Sequence, residues 1–446
     1  MIKRSIIDYL NRWRNSDLRK PLILRGARQV GKTTVINEFG KQYDNYLYFN
    51  LEELQDREVL EREMPLSNKI DLMYASKMQL KHEGETLLFI DEIQNSPKTI
   101  GLLRYFYEQR NDIHVIAAGS LLENLVDVKM SFPVGRVEFA AMRPCSFQEF
   151  VSTTECQQQL EYAIRDPFNS QPMHNSLMSF FNQYTIVGGM PEAVNHYGQH
   201  RDILALDRIY ETLLTAYQGD VEKYVRQDKL VNAVRFILTN GWGHAGEIIK
   251  LGNFAGSEYG SKDIRAAFQL LEKAMLLELS YPTATTQLPA LGETRRMPKL
   301  LWLDTGLVNY SAHIRQAIIK ATNIQDVWRG RIAEHVVAQE LLTLNNKVSQ
   351  RRAFWIKNGG GGSAEVDFVW TYQSTLFPIE VKAGHNSHLR SLHSFVDASP
   401  YDIAIRVWSE PFSVEEHTTI IKGKRFKLVN LPFYLVGNLE TILQKM

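Results

Sequence analysis

Cysteine is nearly missing from this sequence, with Cys145 and Cys156 the only two among 446 residues. Two thiols build neither a disulfide framework nor a thiolate zinc site and suit a reducing compartment, so neither is assigned a chemical role. No uninterrupted apolar run approaches the roughly 20 residues that span a bilayer, and the opening MIKRSIIDYLNRWRN turns charged too soon for a secretory leader. The reading is a cytoplasmic protein with no membrane partner. An excess of one charge is also absent: at a formal net charge of +1, only a local patch could name a charged partner. There is no internal repeat and no long low-complexity tract. What is present, 44% hydrophobic and 23% charged residues, is ordinary for globular protein. The length exceeds what one core usually supports, so two or three domains are expected.

The first 145 residues alternate short apolar runs with helix-like stretches. The runs are Pro21–Leu24, Tyr46–Asn50, Leu87–Asp91 and Ile113–Ala118, with a fifth candidate at Val137–Ala141. Such alternation predicts a mainly parallel, doubly wound α/β sheet. Residues 146–230 read as a helical lid or connector, broken at Gln183–Val194 by Gly188, Gly189 and Pro191. Over 231–305, Ile264, Phe268, Leu271, Met275 and Leu279 trace an amphipathic helix after a Ser261 N-cap candidate. Strands around Leu276–Tyr281 and Lys299–Asp304 follow, joined by a polar loop with Arg295 and Arg296, an order that fits a winged helix-turn-helix module. A last unit, 320–446, opens with the helix GRIAEHVVAQELL. It continues through the strands AEVDFVW and FPIEVKA, a helix near Leu389–Val396 and the strand YDIAIRVW, with NGGGGS as a loop.

The segment Gly26-Ala27-Arg28-Gln29-Val30-Gly31-Lys32-Thr33 fits G-x-x-x-x-G-K-[ST], with a strand before it and a helix-competent run from Thr33-Thr34 onward. That pattern cradles ATP: the backbone N–H groups of Gly26 to Thr34 turn toward the phosphates, Lys32 reaches the β- and γ-phosphates, and the Thr33 hydroxyl binds Mg²⁺. Downstream, LLFIDEIQ delivers Asp91 and Glu92 to a strand's carboxyl end, where ligands of open α/β sheets bind. Asp91 is the expected Mg²⁺ partner and Glu92 the residue that orients or deprotonates the attacking water. One candidate strand, Tyr46–Asn50, lies between the two motifs in sequence, which suits the P-loop branch with an extra sheet strand and a glutamate base. Ser120 could touch the γ-phosphate or lytic water, or merely cap the helix LLENL. Arg136 could serve as an arginine finger, in cis or toward a neighbouring copy in a homo-oligomer, or form a surface ion pair.

Over nearly its whole length the chain resembles prokaryotic ATPases that join an AAA-type P-loop domain to a C-terminal domain of unknown function. The resemblance rests on GARQVGKTT, LLFIDEIQ, the AGS after the fourth strand, the GR of PVGRV, VGGMPEAV, LWLDTGL, GRIAEHVV and EVDFV. It implies ATPase activity.

In the C-terminal unit, EVDFV places Asp367 on one strand and PIEVKAG places Glu380 and Lys382 on the next. Glu380 and Lys382 are two positions apart and share a face. Asp367 and Glu380 can then share a divalent ion, a second Mg²⁺ or Mn²⁺, while Lys382 activates a water or holds a phosphate; Glu334 on the preceding helix could complete the set. This order resembles the PD-(D/E)xK, or restriction-endonuclease-like, superfamily, with Glu365-Val366 standing where that pattern has Pro before the Asp. Residues 321–446 hold 14 Lys and Arg against 12 Asp and Glu, a weak footprint for a duplex binder. Arg351-Arg352 and Lys422, Lys424, Arg425 and Lys427 are the groups that could line a groove for DNA or RNA. Three functions compete: an ATPase gating a metal-dependent nuclease, a nucleotide-controlled binding switch with a silent C-terminal domain, and an ATPase remodelling a protein partner.

Overall fold

The computed structural model describes residues 2–119, 133–224, 227–314, 331–358, 364–382 and 389–446. Its N-terminal sheet consists of β1 (Leu22–Arg25), β2 (Asn45–Asn50), β3 (Thr86–Asp91), β4 (Ile113–Gly119) and β5 (Glu138–Ala141). All five are parallel, in the order β2-β3-β4-β1-β5. The strand between the two phosphate motifs in sequence, β2, lies at the sheet edge, whereas the one between them in space is β4. Successive residues of a strand face opposite layers. Thus Leu22, Leu24, Leu87 and Phe89 enter one core, and Ile23, Leu88, Ile90 and Ala117 the other. Burial on both faces is why β1, β3 and β4 are apolar runs, whereas the edge strand β2 alternates. Around the sheet lie α1 (Ile6–Arg14), α2 (Lys32–Gly40), α3 (Leu54–Glu61), α4 (Leu66–Ser76) and α5 (Pro97–Gln109).

A run of helices follows: α6 (Phe147–Val151), α7 (Gln157–Arg165), α8 (His174–Val187), α9 (Pro191–His200), α10 (Leu206–Tyr224), α11 (Asp228–Asn240) and α12 (Ser261–Lys273). A reciprocal capping box between Ser146 and Glu149 starts α6. α12 corrects the periodicity reading twice. Its N-cap is Gly260, not Ser261, and it stops at Lys273, before Met275 and Leu279. Leu276 N–H reaches the Leu271 carbonyl and Met275 N–H the Glu272 carbonyl, with Met275 left-handed at φ 59°. This helix stop usually carries glycine; with methionine there, the sequence had no visible signal to end the helix. Beyond it, β6 (Leu277–Ser280) pairs antiparallel with β8 (Lys299–Trp302). The connecting loop is not free: β7 (Pro282–Thr283) in it joins the C-terminal sheet.

After α13 (Thr305–Ser311), the C-terminal unit runs α14 (Arg331–Thr343), β9 (Ala353–Ile356), β10 (Glu365–Tyr372), β11 (Thr375–Lys382), α15 (Arg390–Ala398) and β12 (Ile403–Trp408). β13 (Ser413–Thr418), β14 (Arg425–Pro432) and α16 (Leu439–Leu443) close it; the two strands were not anticipated. The sheet order is β13-β14-β12-β11-β10-β9-β7. One continuous core runs from Leu22 and Phe147 through Trp242 and Phe268 to Val336 and Leu435. Among the described residues no helix is long and apolar enough to cross a membrane.

Candidate functional sites

At the carboxyl edge of the first sheet, β1 ends in a loop that requires glycine at two positions. A Cβ on Gly26 would come within 2.5 Å of the Met142 carbonyl oxygen, and Gly31 sits at φ +92°. Lys32 opens α2 and is 7% exposed; its Nζ donates to the Gly26 and Ala27 carbonyls at 2.8 and 2.9 Å. Burial pulls its pKa down to about 8 against the opposing charges of Glu92 and Asp91. The Thr33 hydroxyl donates to Asp91 Oδ2 at 2.6 Å, so the hydroxyl of the loop and the carboxylate of β3 meet at one point. Glu92, left-handed at φ 52°, turns off the strand end and accepts from the Gln94 amide. Desolvation raises the pKa of both Asp91 and Glu92. Backbone amides for phosphates, an ammonium, a hydroxyl–carboxylate pair suited to Mg²⁺ and an adjacent carboxylate are what phosphoryl transfer to water requires.

Other residues brace this loop. Arg4 donates to the Val30 carbonyl at 2.9 Å and to the Arg143 carbonyl at 2.6 Å while pairing with Glu149 at 3.0 Å. Arg28 pairs with Asp220 of α10. Thr34 is exposed on α2. Ser120 lies outside the described residues. Arg136 does not reach the loop: β5 runs parallel to β1, which puts Arg136 beyond the sheet's amino edge, 46% exposed and paired with Glu108 at 3.2 Å.

In the second sheet, Asp367 sits where the β9–β10 register shifts, one step beyond the Phe368–Ile379 pair. A bulge here aims a side chain out of the ladder. Its Oδ2 accepts from Val381 N–H at 2.7 Å, and desolvation together with Glu334 and Glu380 raises its pKa well above the carboxylate range. Lys382 Nζ lies 2.6 Å from Glu380 Oε1, while the buried Glu380 Oε2 has no hydrogen-bond partner among the described residues. The acids and Lys382 therefore share one electrostatic neighbourhood, but among the described residues no group of three or more His, Cys, Asp and Glu side chains is gathered for a metal. Sequence reasoning missed Lys299. From β8, 3% exposed, it pairs with Glu334 at 3.0 Å and Glu365 at 3.1 Å. Burial works against its charge, yet the acids outweigh that and raise its pKa. Its signal was faint, a lysine opening an apolar strand. The expected basic groove is largely committed elsewhere: Arg352 is buried against Glu278 at 3.1 Å, and Lys422 and Lys424 donate to carbonyls at the end of α15.

The motifs VGGMPEAV, LWLDTGL and GRIAEHVV meet in a buried polar junction. Asp304, fully buried, caps α13 through Leu307 N–H at 3.0 Å and accepts from Gly189 N–H. Gln339 joins Thr305 N–H at 2.9 Å to the Tyr184 hydroxyl at 2.8 Å. Glu340 accepts from Phe147 N–H at 3.0 Å and from Tyr184 at 2.7 Å. The clue was available: α14 is apolar on most sides, so polar His335, Gln339 and Glu340 within it had to find buried partners.

Burial pushes Glu340 up to about 7 and Asp304 up to about 6. Because the folded-state values are raised, their contribution is complete below the unfolded value and is lost as pH rises toward 7. At about 1.4 kcal/mol per pKa unit, Glu340 alone is linked to on the order of 3 kcal/mol. We expect Glu340→Gln to flatten the pH dependence of unfolding between pH 5 and 8 and to be more stable than wild type at about pH 8. Thermal melts across that range test it, and parallel wild-type and variant profiles would refute it.

Residues 18–151 match the family model described as AAA domain. Residues 178–317 match a domain of unknown function (DUF8612), and residues 329–434 another (DUF4143). No curated protein sequence matches the chain. Among solved structures it is similar to the Walker-type ATPase PABY2304 of Pyrococcus abyssi, at 13% identity and a TM-score of 0.40, covering 70% of this chain and 96% of that one. It is also similar to the Aeropyrum pernix ORC1 protein in complex with DNA, at 11% identity, a TM-score of 0.28 and coverages of 69% and 90%. For the Thermotoga maritima RuvB Holliday junction branch migration motor the values are 13%, 0.26, 66% and 93%. The family match and the loop geometry carry the assignment: the N-terminal region is an AAA-type P-loop ATPase domain.

Proposed function

We propose that this chain hydrolyses ATP with Mg²⁺ and couples its nucleotide state to a C-terminal site that cleaves nucleic acid. The observation that carries the ATPase reading is the Thr33–Asp91 contact beside Lys32. Bound Mg²⁺, held by Thr33 and Asp91, would draw charge from the phosphate oxygens. Lys32 and the amides of Gly26 to Thr34 hold the β- and γ-phosphates. Glu92 takes the proton of the attacking water as the bond from the γ-phosphorus to the ADP oxygen breaks. Arg136, exposed, would act only toward a neighbouring copy.

In the C-terminal unit, helix, three strands, helix and strand follow in the restriction-endonuclease-like order. We assign Asp367 and Glu380 to a divalent ion, Mg²⁺ or Mn²⁺, Lys382 to the attacking water and Glu334 to support. The orphaned Glu380 Oε2 fits that role. Helices α11 and α12 with the β6–β8 hairpin form a winged-helix-like unit, but Glu278 of its hairpin is tied to Arg352, so nucleic acid is read as approaching the C-terminal unit. The Lys299 ion pairs favour a second reading, a nucleotide-controlled binding switch: one buried ammonium already pairs with both Glu334 and Glu365, as in a silent buried network.

One experiment separates them. DNA and RNA are incubated with wild type, Asp367→Asn, Lys382→Ala, Lys299→Met and Lys32→Ala protein, with Mn²⁺ or Mg²⁺ and with or without ATP. Cutting by wild type that falls at least about 100-fold in Asp367→Asn and Lys382→Ala, and changes with ATP only when Lys32 is intact, is the expected result. No cutting by wild type or by Lys299→Met would sink the nuclease reading and leave the switch.

A further inference from the structure

A cavity lies where the three parts of the chain meet, between the end of β1 and β5, the α12–β6 corner, and α14 with the segment that follows it. Its volume is about 890 Å³, and none of Lys32, Thr33, Asp91 or Glu92 lines it. That volume is in the range of small-molecule sites. Six cationic side chains face it, Arg25, Arg143, Lys273, Lys347, Arg351 and Arg352, against two carboxylates, Glu272 and Glu278. The carboxylates are already occupied. Glu278 is bound to Arg352 at 3.1 Å, and Glu272 accepts the Leu279 N–H at 2.9 Å.

Arg143 is the group this arrangement leaves over. Its Nε is buried with no hydrogen-bond partner, and among the described residues no carboxylate forms an ion pair with it. Burial lowers its pKa to about 10, and Arg352, Arg351 and Arg25 add to that while Glu278 opposes it. A guanidinium held among like charges with an unmet donor is costly unless an anion completes it. Arg351 and Lys347 are exposed at the mouth, whereas Arg25 and Arg352 are buried deeper. Phe139, 41% exposed, and Met275 supply apolar wall.

We infer that this cavity binds a nucleoside phosphate, its phosphates on Arg143, Arg351 and Lys347 and its apolar part against Phe139. The site is separate from the phosphate loop but wired to it, because the Arg143 carbonyl receives Arg4, which also holds Val30. The ligand would touch the ATPase sheet, the α12–β6 corner and the C-terminal unit together, stiffening their arrangement. This inference does not depend on C-terminal cleavage.

Calorimetric titration of the full chain with ADP is the test. Wild type is expected to bind two equivalents per chain and Lys32→Ala to retain one at the cavity. In the Lys32→Ala background, Arg143→Gln should weaken that remaining equivalent on the order of 10- to 100-fold. Arg351→Gln with Lys347→Gln, both at the exposed mouth, gives the same readout should Arg143→Gln fail to fold. A single equivalent in wild type that disappears in Lys32→Ala overturns the proposal. So does a second equivalent indifferent to the arginine and lysine changes.

Discussion

Lys32→Ala protein will release phosphate from ATP at least about 1,000-fold more slowly than wild type, and Glu92→Gln protein about 100- to 10,000-fold more slowly. The two losses have different origins. Lys32 is the buried ammonium facing the carbonyls of the loop, so its removal takes away charge that stabilises the phosphates in both ground and transition states. In the proposed mechanism Glu92 acts only when a proton leaves water. ATP binding at the phosphate loop should therefore weaken in Lys32→Ala and stay close to wild type in Glu92→Gln. Phosphate release and equilibrium ATP binding, measured on the same preparations, distinguish the two. Hydrolysis that survives both substitutions would place the chemistry elsewhere.

The largest stability effect is expected at Asp304, which no catalytic reading would select. Its carboxylate accepts N–H donors from Gly189, Gly306 and Leu307, tying the Gly188-Gly189 break to the start of α13. The approach is so close that a Cβ on Gly188 would lie 2.5 Å from Asp304 Oδ1, and one on Gly306 would collide with the Val187 carbonyl. Alanine at this position leaves three buried N–H groups without an acceptor, at about 1–3 kcal/mol each. Some of this is offset because a buried carboxylate no longer has to be desolvated, so a net loss of roughly 3–5 kcal/mol is expected. The Asp304→Asn variant keeps one acceptor oxygen and should lose about half as much. Urea unfolding followed by circular dichroism measures both; an Asp304→Ala midpoint indistinguishable from wild type would show that the junction carries no stability.

The strand, glycine loop and helix around Gly26 to Thr33 were legible because their parts are local. A glycine-rich turn must follow a strand and precede a helix, and each residue's task is set by its neighbours within eight positions, Gly26 to Thr33. Apolar runs likewise announced β1, β3 and β4, since strands buried on both faces have little choice of side chain. The end of α12 was not legible, because a methionine took the left-handed position that usually marks a helix stop. Nor was the meaning of VGGMPEAV and LWLDTGL, whose glycines answer to contacts more than 100 residues away, such as Gly189 with Asp304.

By itself the sequence determined that a phosphate loop and an acidic strand end exist, and that acids and a lysine lie on two successive strands near the C-terminus. Only the tertiary structure decided that Thr33 meets Asp91, that Arg136 stands at the opposite edge of its sheet, and that Lys299 enters the acid cluster from another unit. It alone placed Arg143 in the wall of a cavity with its buried Nε unbonded among the described residues. The physical reason is the range of the forces. Backbone propensity and burial are written in neighbouring residues, whereas ion pairing and desolvation depend on which distant segments packing brings within a few ångströms.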